Sequence, residues 1–416
     1  MFGVIVVFLI FTGVFDAAAL NSSNEENTLP QYQWRGCENL GKCQLDGFSE
    51  PPLVILSFDG FAREYLERRI VKSLEFIAEC GVQADRVYPS FPSKTFPNHY
   101  TLVTGLYPES HGIKDVNVAL KDVDKYIDAL MKSLYDEELL ECINLVIVSD
   151  HGMQVLDKTV AVEDFIDVEG LILSKGVVTR IHLNATYRSV DEVADQMRCK
   201  VDGVKVNTVN DIPLRKHYSK SKRIGDIVIE GKPGTTFLKS DNRGDHGFDY
   251  YNENMHTIMF ARGTSFETMV TVPSFQNVQY MNLWLSLLGI EGAVENNGTI
   301  GFFDSILKNA PIRENRWDSI NVPTYFYRIL IACTGRCLSS NTPICHSYSE
   351  TRALAFVFPI LDKKTTMDCM SSDDVLLEYT ATIEDVERIA AFKFEIRALS
   401  HQQNVHLRRN ITTSLW

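Results

Sequence analysis

The chain has 416 residues, of which 45% are hydrophobic and 23% are charged; 41 basic and 54 acidic residues give a formal net charge of −13. This length predicts two or three domains, one with a substantial core, and the composition is that of an ordinary soluble globular protein. The acidic balance argues against nonspecific binding to nucleic acids or to anionic membranes.

An apolar run opens the chain. Residues 1–20 are apolar from Val4 to Phe15 and then turn small at Ala17–Ala19, which predicts a secretory signal peptide cleaved near Ala19. No basic residue precedes the run, so an uncleaved anchor is the alternative. No later stretch reaches the roughly 18 apolar residues of a membrane span. We therefore expect no span in the mature chain, and a location in the secretory lumen, at the cell surface or outside the cell.

Sequons and cysteines fit this export route. The predicted glycosylation sites are Asn21, Asn184, Asn297 and Asn410. The nine cysteines include no C-x-x-C pair, so disulfides are expected rather than a zinc ribbon. The expected disulfides lie within Cys37/Cys43 and within the cluster 333–369, and the odd count leaves at least one thiol unpaired within the chain.

A strand and a helix follow a polar, cysteine-containing lead-in over 21–50. The continuous apolar run Leu53–Phe58 is typical of a strand buried on both faces of a parallel sheet. A helix is predicted over 63–79, with Gly81 just past its end. The apolar face of this helix consists of Leu66, Ile70, Leu74 and Ile77.

Thr95 lies between two prolines. Pro92 and Pro97 restrict the backbone, so Ser93–Phe96 is predicted as a stiff loop, followed by a short helix over 98–104. A threonine held on such a loop is a candidate nucleophile, and a purely structural corner is the alternative.

The next elements complete an alternation of strand and helix. An amphipathic helix over 120–134 leads into a second apolar run, Ile143–Val148. The alternation predicts an α/β domain with a mainly parallel sheet. Weaker patterns predict strands at 176–183, 224–229 and 257–260 and helices at 278–288 and 383–399, with no clear long element between 311 and 383.

Polar side chains follow both apolar runs directly. Asp59 and Asp150-His151 come at the carboxyl ends of two buried strands, where open α/β sheets bind ligands. Carboxylates and an imidazole that converge there are ligands of a zinc hydrolase, and Asx capping of turns is the alternative. His246 lies in a polar loop with glycines on both sides, where a lone histidine is usually only solvated.

Four motifs occur in a fixed order along the chain: SFDGF (57–61), YPSFPSKTFPNHYTLVTGLYPESHGI (88–113), NLVIVSDHGM (144–153) and GDHGFD (244–249). Together they resemble those of the ectonucleotide pyrophosphatase/phosphodiesterase family, which belongs to the alkaline phosphatase superfamily. The resemblance implies an alkaline-phosphatase-like α/β catalytic domain over 51–310, with a mainly parallel sheet flanked by helices. It also implies that 311–416 is a truncated α+β region similar to the family's nuclease-like domain.

The resemblance also implies roles for single residues. Thr95 becomes the nucleophile, and Asp59, Asp150 and His151, with Thr95 as fourth contact, become the ligands of one zinc ion. His246 becomes a ligand of the second zinc. The implied reaction is hydrolysis of a phosphodiester or pyrophosphate bond through a nucleotidyl-threonine intermediate, which yields a nucleoside 5′-monophosphate.

The implied substrate is a small nucleotide or phosphodiester rather than a nucleic-acid duplex. Phe96 would stack on the base and Lys94 would lie close to the substrate. No partner protein is evident from the sequence.

The chain departs from the family pattern after Ile113. The family continues with an asparagine and a long segment that carries an Asp-x-x-x-His pair, whereas here residues after about 116 run almost directly into the helix before Asp150. The family's asparagine helps to hold the phosphate oxygens of the substrate, and Asn117, one residue out of step with it, is the candidate for that substrate-binding role here. One zinc site is therefore predicted to be well formed. The alternatives to an enzyme are a secreted one-zinc pseudoenzyme that binds a nucleotide or a protein, and a product that does not fold stably.

Overall fold

A computed structural model gives the fold of the chain and the geometry of its candidate site. The residues that the structure describes are 4–9, 37, 50–69, 71–104, 120–184, 188–239, 243–290, 294–310, 325–333, 337–339, 342–345, 351–359, 370–390, 393–394 and 401–409.

Strands and helices are numbered in chain order. The strands are β1 Val4–Leu9, β2 Leu53–Phe58, β3 Gly81–Ala84, β4 Val87–Tyr88, β5 Asn144–Ser149, β6 Gln154–Val155, β7 Lys158–Thr159, β8 Leu171–Ser174, β9 Val178–Leu183, β10 Val204–Thr208, β11 Ile227–Gly231, β12 Thr235–Thr236, β13 Gly244–Asp245, β14 Met259–Gly263, β15 Val270–Val272, β16 Phe275–Gln276, β17 Tyr325–Cys333, β18 Cys337–Ser339, β19 Thr342–Cys345, β20 Thr351–Pro359 and β21 Thr380–Ala381. The α-helices are α1 Lys72–Glu79, α2 Thr95–Thr104, α3 Leu120–Asp136, α4 Val190–Asp195, α5 Tyr280–Leu287, α6 Ser372–Glu378, α7 Ile383–Ala390 and α8 His401–Arg408. Short 3-10 helices cover Arg63–Arg68, Val162–Asp164, Leu214–Lys216, Glu253–Met255, Asn277–Gln279 and Asp304–Ile306.

The main sheet has the strand order β1-β2-β5-β14-β3-β15. Five strands run in one direction, and β14 is antiparallel to both of its neighbours, β5 and β3. The predicted α/β class with a mainly parallel sheet is therefore confirmed, with one reversed strand inside it. Parallel pairing of β2 with β5 sets Phe58 opposite Ser149, so the residues that follow these two emerge at the same edge.

Alternate residues of the central strands enter two separate cores. Val146 and Val148 pack in the cluster that also contains Trp284 of α5, whereas Leu145 and Ile147 pack with residues of α1 and α3. A sheet with apolar side chains on both faces needs cover on both faces, which explains the continuous apolar runs in the sequence. The helices thus form a layer on each side of the sheet.

The N-terminal apolar run contributes the edge strand of this sheet. Val4–Leu9 forms β1, parallel to β2, although this run was predicted as part of a signal peptide. Six consecutive apolar residues are compatible with both a signal peptide and a buried strand, so the apolar pattern alone does not distinguish the two. Cleavage near Ala19 stays a prediction, and 10–20 lie outside the described residues. No helix in the described ranges is long and apolar enough to cross a bilayer.

The predicted helix over 63–79 was wrong at its centre, whereas its end at Glu79 is confirmed. The chain forms a 3-10 helix to Arg68, breaks at Arg69 with φ 52°, and forms α1 from Lys72. Gly81 does not cap the helix but opens β3, where it pairs with Arg262 of β14.

Gly81→Ala is expected to destabilise the fold by about 3 kcal/mol, because overpacking against backbone cannot be relieved by a rotamer change. An added Cβ would lie 1.9 Å from the Ala261 carbonyl oxygen. The matched control is Gly176→Ala, whose Cβ would meet only the Val178 carbonyl oxygen at 3.6 Å. Denaturant unfolding of both variants measures the difference, and equal free energies of unfolding would contradict the expectation.

A second, antiparallel sheet with the order β10-β11-β9-β8 lies in the chain between β5 and β14 of the main sheet. It has its own core, which includes Ile181, Val206 and Ile229.

The C-terminal region contains the antiparallel sheet β17-β20-β21 with α7 and α8. The prediction of no clear long element between 311 and 383 was wrong, since β17 and β20 have nine residues each. The predicted helix over 383–399 ends at Ala390, and Phe394 instead donates its N–H to Glu387 at 2.7 Å. The similarity of 311–416 to a nuclease-like domain stays a prediction.

The disulfides differ from those expected. Cys37 forms a disulfide with Cys80, which directly follows α1, and not with Cys43. This bond links the lead-in covalently to the main domain. Cys142 and Cys199 are also disulfide-bonded. The expected pairing inside 333–369 stays a prediction.

Two predicted glycosylation sites lie among the described residues. Asn184 is exposed at the end of β9, which suits a glycan, and Asn297 is half-buried. The backbone carbonyl of Asn297 accepts a hydrogen bond from Arg409 at 3.0 Å, while the sequon hydroxyl of Thr299 bonds to Glu384. Asn21 and Asn410 lie outside the described residues.

Candidate metal centre and active site

Two carboxylates and an imidazole meet at the carboxyl edge of the main sheet. Asp59 follows β2, and Asp150-His151 follows the adjacent parallel strand β5. Ligand atoms of the three side chains all lie within 4.8 Å of one another, and both Asp150 and His151 are fully buried. The convergence predicted from the sequence is therefore found.

Thr95 joins this cluster from the start of α2. Its side chain is 2% exposed, and its Oγ1 lies 2.8 Å from His151 Nε2 and 3.4 Å from Asp59 Oδ1. The prediction of a loop through Phe96 was wrong, because the helix begins at Thr95 itself. Pro97 is compatible with that start, since the first N–H groups of a helix have no partner inside the helix. Thr95 thus lies at the positive end of the helix dipole.

Backbone carbonyls fix which ring nitrogen donates a hydrogen bond in two histidines. Nδ1 of His151 lies 2.8 Å from the Gly152 carbonyl oxygen, and Nδ1 of His246 lies 2.9 Å from that of Ser93. Because a carbonyl only accepts hydrogen bonds, each Nδ1 carries a hydrogen. In the neutral ring, Nε2 then has a lone pair with which it can bind a metal ion. This is how a histidine ligand is usually oriented toward a metal.

The three possible ligands, Asp59, Asp150 and His151, need a positive charge between them. His151 Nε2 lies 3.0 Å from Asp150 Oδ2 and 3.6 Å from Asp59 Oδ1. Asp150 Oδ2 is buried and accepts no hydrogen bond from the residues that the structure describes. Two anionic carboxylates and an imidazole lone pair repel one another unless a proton or a metal ion lies among them. Oxygen and nitrogen donors of this kind suit zinc.

The charges in the cluster are strongly coupled. Burial raises the pKa of the Asp150 carboxyl, but the neighbouring His151 and His99 lower it more, and the net pKa lies below the usual value. Burial lowers the pKa of His151, while Asp150 and Asp59 raise it, and the net pKa is raised. The cluster therefore favours a cation beside ionised carboxylates.

His246 is buried rather than solvated. It is 1% exposed, and its ring stacks on that of His151 with centroids 3.6 Å apart and an interplanar angle of 13°. Pairing of β13 with β6 brings its loop beside the segment after His151. Within the described ranges, the group of three possible ligands is Asp59, Asp150 and His151, and His246 is not part of it.

The predicted substrate-binding residues differ in what they contact. Phe96 is 43% exposed next to Thr95, so its ring is accessible. Lys94 instead pairs with Asp245, with Nζ 2.7 Å from Oδ1, and this links the Thr95 segment to the His246 loop. Asn117 lies outside the described residues.

His99 was missed by the sequence analysis. It lies four residues after Thr95, and its Nδ1 is 3.1 Å from the Thr95 carbonyl oxygen and 3.4 Å from Asp150 Oδ2. Its Nε2 lies 2.8 Å from Ser57 Oγ. The i, i+4 spacing would have placed both side chains on one helix face, had the helix been predicted to start at Thr95.

Known sequences match most of this chain. The profile of a family described as type I phosphodiesterase / nucleotide pyrophosphatase matches residues 53–118 and 114–256, two parts that overlap at 114–118. An ectonucleotide pyrophosphatase/phosphodiesterase of Caenorhabditis elegans is 43% identical over a 707-residue alignment that covers 98% of this chain and 95% of the relative.

More distant relatives match a smaller share. An ectonucleotide pyrophosphatase/phosphodiesterase family member 3 of Bos taurus is 25% identical over 392 residues, 63% of this chain and 45% of the relative. A venom phosphodiesterase of Macrovipera lebetinus is 24% identical over 391 residues, with 63% of this chain and 46% of the relative covered.

Proposed function

Because this chain belongs to the family of type I phosphodiesterases and nucleotide pyrophosphatases, we propose that it hydrolyses phosphodiester or pyrophosphate bonds of a small nucleotide. The products are a nucleoside 5′-monophosphate and the leaving alcohol or phosphate group. The observation that carries the proposal is Thr95 Oγ1 at 2.8 Å from His151 Nε2, inside the buried cluster of Asp59, Asp150 and His151.

Thr95 is the nucleophile of this proposal. Its hydroxyl releases a proton to solvent, its oxygen forms a bond to phosphorus as the bond to the leaving group breaks, and the leaving group takes up a proton from solvent. Water then hydrolyses the threonine ester, which releases the 5′-monophosphate and restores the hydroxyl. Phe96, exposed one residue further on, supplies an aromatic face for the base, and Lys94 lies close to the substrate.

Zinc is the proposed cofactor. Asp59, Asp150 and His151 would hold one ion, with Thr95 as the fourth contact, and His246 would be a ligand of a second. A bound zinc ion supplies a positive charge that favours the deprotonated form of the Thr95 hydroxyl. The fixed tautomers of His151 and His246 support this assignment, since each directs an unprotonated nitrogen away from its backbone partner.

We propose export of the chain through its N-terminal apolar segment. The relatives carry names that contain "ecto" and "venom", which supports a location outside the cytosol. The Cys37–Cys80 disulfide supports it too, because such bonds persist in oxidising compartments.

The second candidate function is a secreted one-zinc pseudoenzyme that binds a nucleotide or a protein. Two observations favour it. The family profile matches in two parts that meet at 114–118, where the sequence predicts a missing segment. The alignment with the Caenorhabditis elegans relative is 707 residues long, so it contains positions that this 416-residue chain lacks. A second zinc site that keeps only His246 would fall short of the three protein ligands such sites need.

Zinc content and turnover distinguish the two functions. The hydrolase is expected to carry about two zinc ions per chain and to cleave a chromogenic nucleotide ester. The purified, secreted full chain is dialysed against micromolar zinc, its metal is counted by mass spectrometry, and hydrolysis is followed by absorbance. One ion or fewer, together with no turnover above the buffer rate, supports the pseudoenzyme and overturns the hydrolase.

A further inference from the structure

Six charged side chains form a network between the part of the chain that contains the candidate site, here called the catalytic part (51–310), and the C-terminal region that follows it. This network, the charge cluster, contains three cations and three anions: Lys205, Arg215, Lys216, Glu230, Asp249 and Glu378. Four members are buried, and Lys205 and Asp249 are partly exposed. The charges are balanced, so removing one of them leaves another uncompensated in a poorly solvated place.

Arg215 is the centre of the charge cluster. Its Nη1 and Nη2 donate to the two carboxylate oxygens of Asp249 at 2.7 and 2.6 Å. The same Nη2 donates to Glu378 Oε2 at 3.0 Å, and Nε donates to the Glu378 carbonyl oxygen at 2.9 Å. The guanidinium also lies 3.8 Å from the centroid of the Tyr251 ring. Every nitrogen of the guanidinium is thereby engaged, so its orientation depends on Glu378.

Glu378 is the member that the C-terminal region contributes, as the last residue of α6. Lys216 Nζ donates to its Oε1 at 2.6 Å, and Lys205 Nζ donates to its Oε2. Burial raises the pKa of the Glu378 carboxyl, but Lys205, Lys216 and Arg215 lower it more, and the net pKa lies well below the usual value. Glu378 is therefore an anion held against two buried cations.

Asp249 connects the charge cluster to the candidate active site. It follows His246 by three residues in the same loop, and Gly247 in between has φ 114°, a left-handed conformation that favours glycine. On the other side of the loop, Ser93 Oγ donates to the Phe248 carbonyl oxygen at 2.8 Å and the Ser93 carbonyl accepts from His246. The loop is thus held between the Thr95 segment and Arg215.

We propose that Glu378 is a positioning residue for His246: through Arg215 and Asp249, it fixes the loop that presents His246 to the candidate site. The catalytic consequence rests on the proposed function, whereas the effect on the position of His246 does not. Glu378 lies 163 positions after Arg215 in the sequence, so a residue of the C-terminal region would help to position a residue of the candidate site.

The test compares two buried glutamates of the C-terminal region. Glu378→Gln removes the charge that orients Arg215. The matched control is Glu387→Gln, whose carboxylate pairs with Arg408 Nε at 2.9 Å, outside the charge cluster. In the metal-free full chain with 13C-labelled histidine, the His246 imidazole signal is assigned by its loss in His246→Gln. We expect this signal to move in Glu378→Gln and to stay in place in Glu387→Gln.

The functional readout is the zinc affinity and the kcat. We expect Glu378→Gln to weaken binding of one zinc ion and to lower kcat by about tenfold each, with KM within about twofold, as for other residues that orient a ligand. An unmoved His246 signal in Glu378→Gln, or equal movement in both variants, overturns the proposal. If Glu378→Gln is insoluble, Glu378→Asp must move the signal, because it withdraws the carboxylate from Arg215. Absence of zinc binding and turnover in the wild type would refute the proposed function, while the His246 signal still decides this proposal.

Discussion

Thr95→Ala is expected to lower kcat/KM for a chromogenic nucleotide ester by about 10³-fold or more, the order of loss when a nucleophile is removed. The substitution deletes the oxygen that lies 2.8 Å from His151 Nε2, and it leaves the two carboxylates and both histidines in place. Zinc content should therefore fall little. The measurement is steady-state kinetics with a zinc count on the same sample.

Thr101→Ala is the matched control, because Thr101 is a second buried threonine of α2. Its Oγ1 donates to the Pro97 carbonyl oxygen at 3.0 Å, away from the ligand cluster. We expect this variant to keep kcat/KM within about twofold, although loss of a buried hydrogen bond costs about 1 kcal/mol of stability. Turnover by Thr95→Ala at the rate of Thr101→Ala would exclude Thr95 as the nucleophile.

The ligand cluster was predictable because it depends on local pattern and one topological rule. Asp59 and Asp150 each follow a buried apolar run, and adjacent parallel strands end at the same edge. The register, Phe58 opposite Ser149, was not in the sequence pattern, yet it is what sets the two carboxylates side by side. A shift by one residue would turn one of them to the other face of the sheet.

The start of α2 was not predicted because proline is compatible with two local structures, an extended loop and the first turn of a helix. Pro97 favours an extended conformation of the residue before it, but the ring is also favourable in the first turn of a helix, where its missing N–H has no partner to lose. That difference hid His99, which reaches Asp150 only because the helix begins at Thr95. Local sequence is ambiguous here, and packing of α2 against α5 decides the outcome.

The charge cluster could not be predicted at all. Arg215 and Glu378 are charged residues in unremarkable segments, and charged residues are mostly exposed. Their burial results from docking of the C-terminal region on the 3-10 helix Leu214–Lys216 and on Lys205 of β10, contacts between distant parts of the sequence. The long strands β17 and β20 were missed for a similar reason, since their pairing with each other is nonlocal.

Asp150→Asn is expected to weaken zinc binding by more than about 100-fold, since even residues that only orient a ligand contribute about 10–100-fold. Asparagine keeps the size of the side chain but removes the charge that faces His151 Nε2 at 3.0 Å and His99 Nδ1 at 3.4 Å. The three-ligand cluster then retains one carboxylate and one imidazole, fewer than the three protein ligands of zinc sites. Titration calorimetry with zinc measures the affinity, and loss of turnover should accompany the loss of metal.

Asp211→Asn separates the loss of a ligand from the loss of a buried carboxylate. Asp211 is as buried as Asp150, but its carboxylate binds the Thr208 backbone N–H at 3.2 Å and Arg198 at 3.3 Å, away from the metal ligands. This control is expected to lower the melting temperature while its zinc affinity stays within about threefold of the wild type, because the ligand set is intact. Equal loss of zinc in both variants would mean that metal binding follows stability alone. Retention of zinc by Asp150→Asn would remove Asp150 from the ligand set, and the in-register strand ends would then be turn caps.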